Sequence, residues 1–150
     1  MAQVQAGFQI AEFRVDSLEY SCAAREWPKS VENGFQLSAN IAYNSEKSVF
    51  AGRINLVYTV KSRDENPLMQ NPLSLKVSAH AVCTMQGADT PESKAEFTEL
   101  LRKKGTLFLL STLRSQIVNL SSVLGCQRPI IMPVIDADKF AWNERQTVLQ

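Results

Sequence analysis

Four stretches of the sequence alternate apolar and polar residues with a period of two, and this alternation constrains the fold more than any other feature. Between Phe35 and Tyr43, for example, every odd-numbered residue is apolar or aromatic, and Gln36, Ser38 and Asn40 lie between them. Successive side chains of a β-strand point to opposite faces of its sheet, so the pattern predicts a strand with one buried face. The four predicted strands are Phe8–Tyr20, Phe35–Tyr43, Val49–Lys61 and Leu73–Met85.

The connections between these strands predict an antiparallel sheet. Residues 44–47 supply turn chemistry for a hairpin between the second and third strands, and a polar loop from Ser62 to Pro72 precedes the fourth. In Phe8–Tyr20 the apolar phase shifts after Glu12, which predicts a bulge or two pieces of strand. Strands of this length leave long edges that must be covered, charged or paired. We expect pairing with a partner subunit.

After the fourth strand the apolar spacing becomes helical. Pro91 suits the first turn of a helix, and a short helix, about Pro91 to Lys104, is expected to end at Gly105. A longer amphipathic helix is predicted from Thr106 to Leu124, ending at Gly125. Its apolar residues recur at steps of three and four and form one stripe, made of Leu110, Leu113, Ile117, Leu120 and Leu124.

The opposite side of the longer helix is small and polar. Small side chains let a second helix approach closely, so this side is a candidate interface between subunits. A solvated helix face explains the same residues equally well, and both interpretations stay open. The residues concerned are Ser111, Ser115, Asn119 and Ser122.

The last part of the chain combines an extended apolar segment with a short helix. Pro129 and Pro133 bracket the apolar segment and disfavour helix there. Asp136 is expected to cap a short C-terminal helix that contains Phe140 and Trp142. Without repeats, low-complexity tracts or a linker, residues 1–150 are predicted to form one α+β domain.

The titratable residues do not form a pattern typical of an enzyme. His80 is the single histidine, and Cys83, three residues along the same predicted strand, faces the other side of the sheet. The separated cysteines, Cys22, Cys83 and Cys126, fit a reducing compartment better than a disulfide framework. The sequence contains no metal-ligand spacing and no phosphate-binding glycine motif. We therefore expect neither catalysis nor a bound cofactor or metal.

The charges balance, which argues against a nucleic-acid partner. The chain has 16 basic and 15 acidic residues, and its dense basic cluster is Arg102, Lys103 and Lys104. These cations match the dipole at the end of the first predicted helix, whereas phosphate binding requires a broader basic surface. The sequence shows no secretory leader and no apolar stretch long enough to span a bilayer. A cytoplasmic location and no membrane insertion are expected.

Apolar residues also occur where a core does not require them. Some lie in the crossover between the first two predicted strands, and others lie in the tail. A tryptophan in a long loop often covers its own core, but several such residues together favour an apolar groove that binds polypeptide. The candidate client-binding residues are Trp27, Pro28, Ile131, Met132, Phe140 and Trp142.

Local matches to one known family occur in the expected order along the chain. They are Phe8 to Ile10 at the first strand, Trp27-Pro28 in the crossover, Leu109 to Ile117 in the long helix, and Ile131 to Val134 in the tail. In this order the chain resembles the SecB-type protein-export chaperones. The resemblance covers about Phe8 to Phe140, and the order of the matches carries it rather than any single motif.

The resemblance implies a SecB-like subunit with a four-stranded antiparallel sheet, a long helix and a short C-terminal helix. It further implies a dimer of dimers that holds unfolded preproteins in apolar grooves without ATP. Trp27 and Phe140 become client contacts, and the small polar side of the long helix becomes an interface between dimers. On this basis the protein is predicted to be a molecular chaperone and not an enzyme.

The chain also departs from the family. Ser111 stands where the family usually has proline, and the positions of the acidic residues that dock on the SecA motor are Ser17, Ser21 and Lys76 here. A charge reversal at such a contact costs specificity and association rate, so engagement of SecA is not expected from these residues. The alternative function is a SecB-like module dedicated to one partner, such as an antitoxin of a toxin–antitoxin system.

Overall fold

The structure, a computed structural model, describes residues 7–21, 31–62, 73–124, 130–134 and 143–144. Within these ranges, four long strands are followed by one continuous helical run and a two-residue strand. This order confirms the predicted α+β class with an antiparallel sheet preceding a long helix. The strands are β1 (Gln9–Ser21), β2 (Val31–Asn44), β3 (Val49–Ser62), β4 (Ser74–Gln86) and β5 (Asn143–Glu144).

The strands form one sheet in the order β1-β4-β3-β2-β5. The contacts of β4 with β1 and β3, and of β3 with β2, are all antiparallel, as predicted. β1 shows two register shifts against β4, one between Ile10 and Glu12 and the other between Val15 and Ser17. These shifts confirm that the slipped apolar phase of the first segment marks an irregular strand.

β5 lies at the outer edge of β2 and runs parallel to it. Asn143 is opposite Ser38, and Glu144 is opposite Ala39. The sequence does not predict this strand, because asparagine and glutamate are depleted in strands and two residues are too few to show a period. The short C-terminal helix predicted from the sequence falls on residues 136–142, which lie outside the described residues.

The helical run covers one face of the sheet. At its start the Ser93 N–H donates to Thr90 Oγ1 at 3.2 Å, and Pro91 occupies the first turn as predicted. Among the described helices, none combines the length and the apolarity that crossing a membrane requires. The run consists of α1 (Pro91–Leu100), a five-residue π-helical segment (Leu101–Gly105) and α2 (Thr106–Val123).

The prediction that a first helix ends at Gly105 is wrong. Gly105 has helical dihedrals, φ −65° and ψ −45°, and the helix continues through it. Its role is contact with the sheet: a Cβ at this position would lie 2.6 Å from Ile54 Cδ1 and 3.3 Å from Cys83 Sγ. The glycine therefore lets the helix backbone approach β3 and β4 closely, which a sequence pattern does not distinguish from a helix stop.

The core lies between this helical run and the face of the sheet that it covers. β3 and β4 contribute their alternate residues, among them Leu56, Tyr58, Val77 and Ala81, all at most 1% exposed. The helical run contributes a row of buried side chains spaced mostly four residues apart. These are Phe97, Leu101, Leu109, Leu113 and Ile117.

The buried side of α2 differs in part from the predicted stripe. Leu110, Leu113 and Ile117 are buried as predicted, but Leu120 and Leu124 are only partly buried. Leu109 and Ser121 join the buried side instead, and Ser121 is 2% exposed. The π-helical segment inserts an extra residue per turn and so rotates the register of α2 relative to an uninterrupted α-helix.

The basic cluster Arg102, Lys103 and Lys104 lies within the helical run rather than at its end. The C-terminal dipole therefore does not explain these cations, and all three are exposed. Lys103 Nζ lies 3.1 Å from Glu99 Oε1, one turn earlier. A pair of this kind on an exposed helix surface stabilises the helix by only a few tenths of a kcal/mol.

Candidate functional site

His80 lies on the face of the sheet that the helix does not cover, and it is paired. Its Nδ1 is 2.8 Å from each carboxylate oxygen of Asp16, which lies at the second register shift of β1. Because a carboxylate only accepts, His80 carries the proton on Nδ1 and donates it to Asp16 in this hydrogen bond. Arg53 Nη2 lies 3.9 Å from Asp16 Oδ2, so the three residues link β1, β4 and β3.

Cys83 lies on the opposite face, as the strand spacing predicts. Its side chain is fully buried beneath the helical run at Gly105. Burial raises the pKa of the Cys83 thiol to about 11, so the thiolate is scarce near neutral pH. His80 and Cys83 are thus separated by the sheet and do not form a nucleophile–base pair.

The described residues also contain no metal centre. Within the ranges that the structure describes, no three histidine, cysteine or acidic side chains come together as possible ligands. Two side-chain oxygens in the same ranges, Ser62 Oγ and Thr106 Oγ1, are buried without a hydrogen-bond partner. They lie on different elements, β3 and α2, and do not converge on one point.

The segment that follows α2 is attached to that helix through Ser121. The Ile130 N–H donates to Ser121 Oγ at 2.8 Å, and the same hydroxyl donates to the Ile117 carbonyl at 2.8 Å. The hydroxyl of the buried serine therefore has a partner both as a donor and as an acceptor, and the tail segment is fixed beside the helix. Ile130 and Met132 are buried, whereas Ile131 is 61% exposed.

A depression of about 500 Å³ lies between α2 and this tail segment. Val118 and Ile131 supply its apolar part, and both are exposed large hydrophobic residues. The Ser115 hydroxyl donates to the Ser111 carbonyl at 3.3 Å, so its hydrogen-bonding need is met within the helix. Arg114 places one cation in the lining. The depression is suited to an apolar side chain next to a carbonyl or carboxylate.

Further apolar residues are exposed along the same part of the molecule. Leu107 of α2 lies on the same side of the helix as Val118 and is 57% exposed, and Val134 of the tail segment is 77% exposed. Together with Val118 and Ile131 they form a broken apolar surface along the helix and tail. Exposed apolar surfaces of this kind are typical of protein-binding sites.

A second, smaller depression of about 250 Å³ lies near the β2 edge of the sheet. Its centre is made of small or aliphatic side chains of β2, β3 and β4, and Arg53 and Asn40 are the polar members of the lining. The lining residues are Asn40, Ile41, Ala42, Ala51, Gly52, Arg53 and Val82.

The structure brings together some of the residues predicted for two separate roles. Ile131, predicted to contact clients, and Ser111 and Ser115, predicted to form a subunit interface, line the same depression. Asn119 and Ser122 are exposed on α2, as that interface requires. Client binding and assembly through these residues stay predictions.

Of the remaining predicted client contacts, the structure describes Met132. Met132 is 1% exposed and packs in the core, so its side chain is not available at the surface of this arrangement. Trp27, Pro28, Phe140 and Trp142 lie outside the described residues.

Sequence reasoning missed three residues of the site, Arg114, Val118 and Ser121. Val118 follows Ser111 and Ser115 at helical spacing, so the alignment of these residues on one side of the helix was readable. The burial of Ser121 was not readable, because the hydroxyl is satisfied by Ile130, nine residues away.

The sequence matches no protein-family model and no curated protein. Solved structures do match. One is the SecB-like chaperone Rv1957 of Mycobacterium tuberculosis, solved in complex with a ChAD peptide from the Rv1956 HigA1 antitoxin. It has 18% sequence identity and a TM-score of 0.56, and the match covers 90% of this chain and 95% of that one.

A second solved structure is a protein of unknown function from Streptococcus agalactiae. Its sequence identity is 12% and its TM-score 0.52, with 85% of this chain and 97% of the other covered. At these identities the matches concern the fold and not the activity. Together with the strand order and the long helix, they show that this chain is a divergent protein with a SecB-like fold.

Proposed function

We propose that this protein is an ATP-independent chaperone that binds non-native polypeptide along α2 and the tail segment 130–134. The observation that carries the proposal is the depression between Val118 and Ile131, two exposed apolar residues fixed beside each other by the Ser121 hydrogen bonds. The SecB-like fold supports it, since a structure of this fold was solved with a peptide bound.

Binding at such a surface rests on the burial of apolar side chains. Each Å² of apolar area removed from water contributes roughly 25 cal/mol, whatever the sequence of the client. Arg114 adds a donor for carbonyl or carboxylate groups of the client. No step in this mechanism uses a nucleophile, a metal or a nucleotide, and the protein acts by holding its client rather than by catalysis.

A dedicated client is the more specific form of the proposal. The Mycobacterium tuberculosis chaperone was solved with a peptide from an antitoxin, which favours a client of this kind here over a broad set of preproteins. The positions at which the family has acidic SecA-docking residues also favour a dedicated client over exported preproteins. At these positions Lys76 lies opposite Glu19, and Ser17 lies opposite Ser78. Without an acidic patch at these positions, we do not propose that the protein delivers clients to SecA.

Self-association to a dimer or tetramer is part of the proposal, as is a cytoplasmic location. β1 is an outer strand of the sheet, and a long strand at that position is suited to pairing with a second copy. The small polar side of α2 gives a second surface for assembly, through Ser111, Ser115, Asn119 and Ser122.

The proposal is tested with Ile131→Asp and a matched control, Val123→Asp. Both residues are exposed and apolar, but only Ile131 lines the depression. Binding of a fluorescently labelled unfolded polypeptide, followed by anisotropy, should weaken about tenfold for Ile131→Asp and little for the control. Equal affinity of both variants and the wild type would remove this surface from the client site.

Light scattering on the same samples separates client binding from assembly, because Ser111 and Ser115 line the same depression. If Ile131→Asp retains the oligomeric state of the wild type, its loss of affinity is a direct effect on the client. Affinity capture from the host then distinguishes one dominant partner from a broad set of unfolded clients.

A further inference from the structure

The outer edge of β2 carries an occupant that belongs to the same chain. The inner side of β2 pairs with β3 from Val31 to Asn44, along the whole strand. On its outer side, Asn143 and Glu144 pair with Ser38 and Ala39. This edge therefore accepts an additional extended backbone at a defined place.

Three features make the pairing of Asn143 and Glu144 with β2 weak. It involves two residues, whereas β2 pairs with β3 through 14. It is also parallel, which is slightly less stable per residue than the antiparallel pairing used by the four long strands. Asparagine and glutamate are both depleted in strands. A longer segment rich in β-branched or aromatic residues would pair better at the same edge.

The side chains of β2 next to this place suit an apolar polypeptide. Leu37 and Ala39 are buried at 5% and 3% exposure, but Phe35, Ile41 and Tyr43 on the same face are only partly buried. A strand added to an edge places its alternate side chains over that face of the sheet. An incoming apolar segment would therefore contact Phe35 and Ile41 on either side of the paired position.

We propose that the outer edge of β2 at Ser38–Ala39 is a strand-addition site for an extended, apolar polypeptide, and that Asn143–Glu144 is its resident competitor. The inference rests on the proposed polypeptide-binding function and adds a backbone subsite and its regulation. A client displaces residues 143–144 in order to pair with β2. The apparent affinity for the client is then reduced in proportion to the fraction of molecules in which residues 143–144 occupy the edge of β2.

The test uses a double substitution, Asn143→Pro and Glu144→Pro, with Asn143→Ala and Glu144→Ala as the control. Proline lacks the N–H that strand pairing requires, whereas alanine keeps the backbone donor. The probe is a labelled lactalbumin kept unfolded by reduction and carboxymethylation. The proline variant should bind it about three- to tenfold more tightly, and the alanine variant should match the wild type.

Hydrogen exchange supplies a readout that does not depend on the client. One backbone amide of Ser38 and Ala39 points to the outer edge of β2. This amide should exchange faster in the proline variant than in the wild type, and bound lactalbumin should restore its protection. Equal affinities for the wild type and the proline variant, or equal exchange at this amide, would overturn the inference and leave the proposed function standing. Absence of binding in the wild type and in both variants would overturn both.

Discussion

At the scale of the residue, the cluster of Asp16, His80 and Arg53 ties the irregular outer strand β1 to its neighbour β4 and to the next strand, β3. His80 is 5% exposed, and removal of Asp16 replaces the 2.8 Å hydrogen bond at its buried Nδ1 by a longer contact, 3.3 Å, with Arg53 Nη2. We expect Asp16→Ala to lower the free energy of unfolding by about 1–2 kcal/mol in urea titrations. Glu12→Ala is the control, because Glu12 lies 3.8 Å from an exposed Arg14 and contributes little. Equal losses for the two variants would contradict a structural role for the cluster.

The buried thiol of Cys83 gives a residue-scale prediction about pH. Burial raises the pKa of this thiol to about 11. With the other two cysteines replaced, Cys22→Ser and Cys126→Ser, we expect iodoacetamide at pH 8 to label the unfolded protein but not the native one. The unfolded thiol loses its proton near its ordinary value of 9.0, before the folded one. Cys83 therefore lowers the stability of the fold as the pH rises from about 9 to about 11. Native labelling as fast as unfolded labelling would contradict this burial.

At the scale of the element, the passage of the helix through Gly105 depends on contact with Ile54. Alanine normally stabilises a helix relative to glycine, but here its Cβ would lie 2.6 Å from Ile54 Cδ1. We expect Gly105→Ala to destabilise the protein by about 1 kcal/mol, because the end of the buried Ile54 side chain must move and the helix preference of alanine offsets part of that cost. Ile54→Val removes the clashing atom, so it should cost about 1 kcal/mol in the wild type and clearly less in the Gly105→Ala background. Additive effects in this double-mutant cycle, measured by urea unfolding, would contradict the close approach.

The same glycine shows where prediction of the elements succeeded and failed. Period-two alternation in segments such as Phe35–Tyr43 reports burial on one face, which is a local property, and the long strands follow from it. Gly105 and Ser121 depend on groups far away in the sequence, Ile54 and Ile130. Gly105 leaves room for the sheet to pack and Ser121 holds the tail, and neither role produces a pattern in the neighbouring sequence. β5 has none for the same reason, since its pairing depends on an edge provided by β2.

At the scale of the whole molecule, the sequence predicted several residues of the candidate site but not how they are arranged. The sequence pointed to apolar residues of the tail and to the small polar side of the long helix. The structure places Ile131 beside Ser111 and Ser115, but it buries Met132 in the core. An alternating tail segment has one exposed and one buried side, and the anchoring of Ile130 on Ser121 decides which is which.

The central claim is that this SecB-like protein holds non-native polypeptide, and suppression of aggregation tests it most directly. A chemically unfolded, slowly folding protein is diluted into buffer with increasing amounts of this protein, and light scattering is followed without ATP. The proposed function predicts that scattering falls to the baseline near one assembled oligomer per client, and that Ile131→Asp requires a higher concentration than Val123→Asp. Undiminished scattering at a stoichiometric amount of the wild type, with a general substrate and with the partner captured from the host, would contradict the claim.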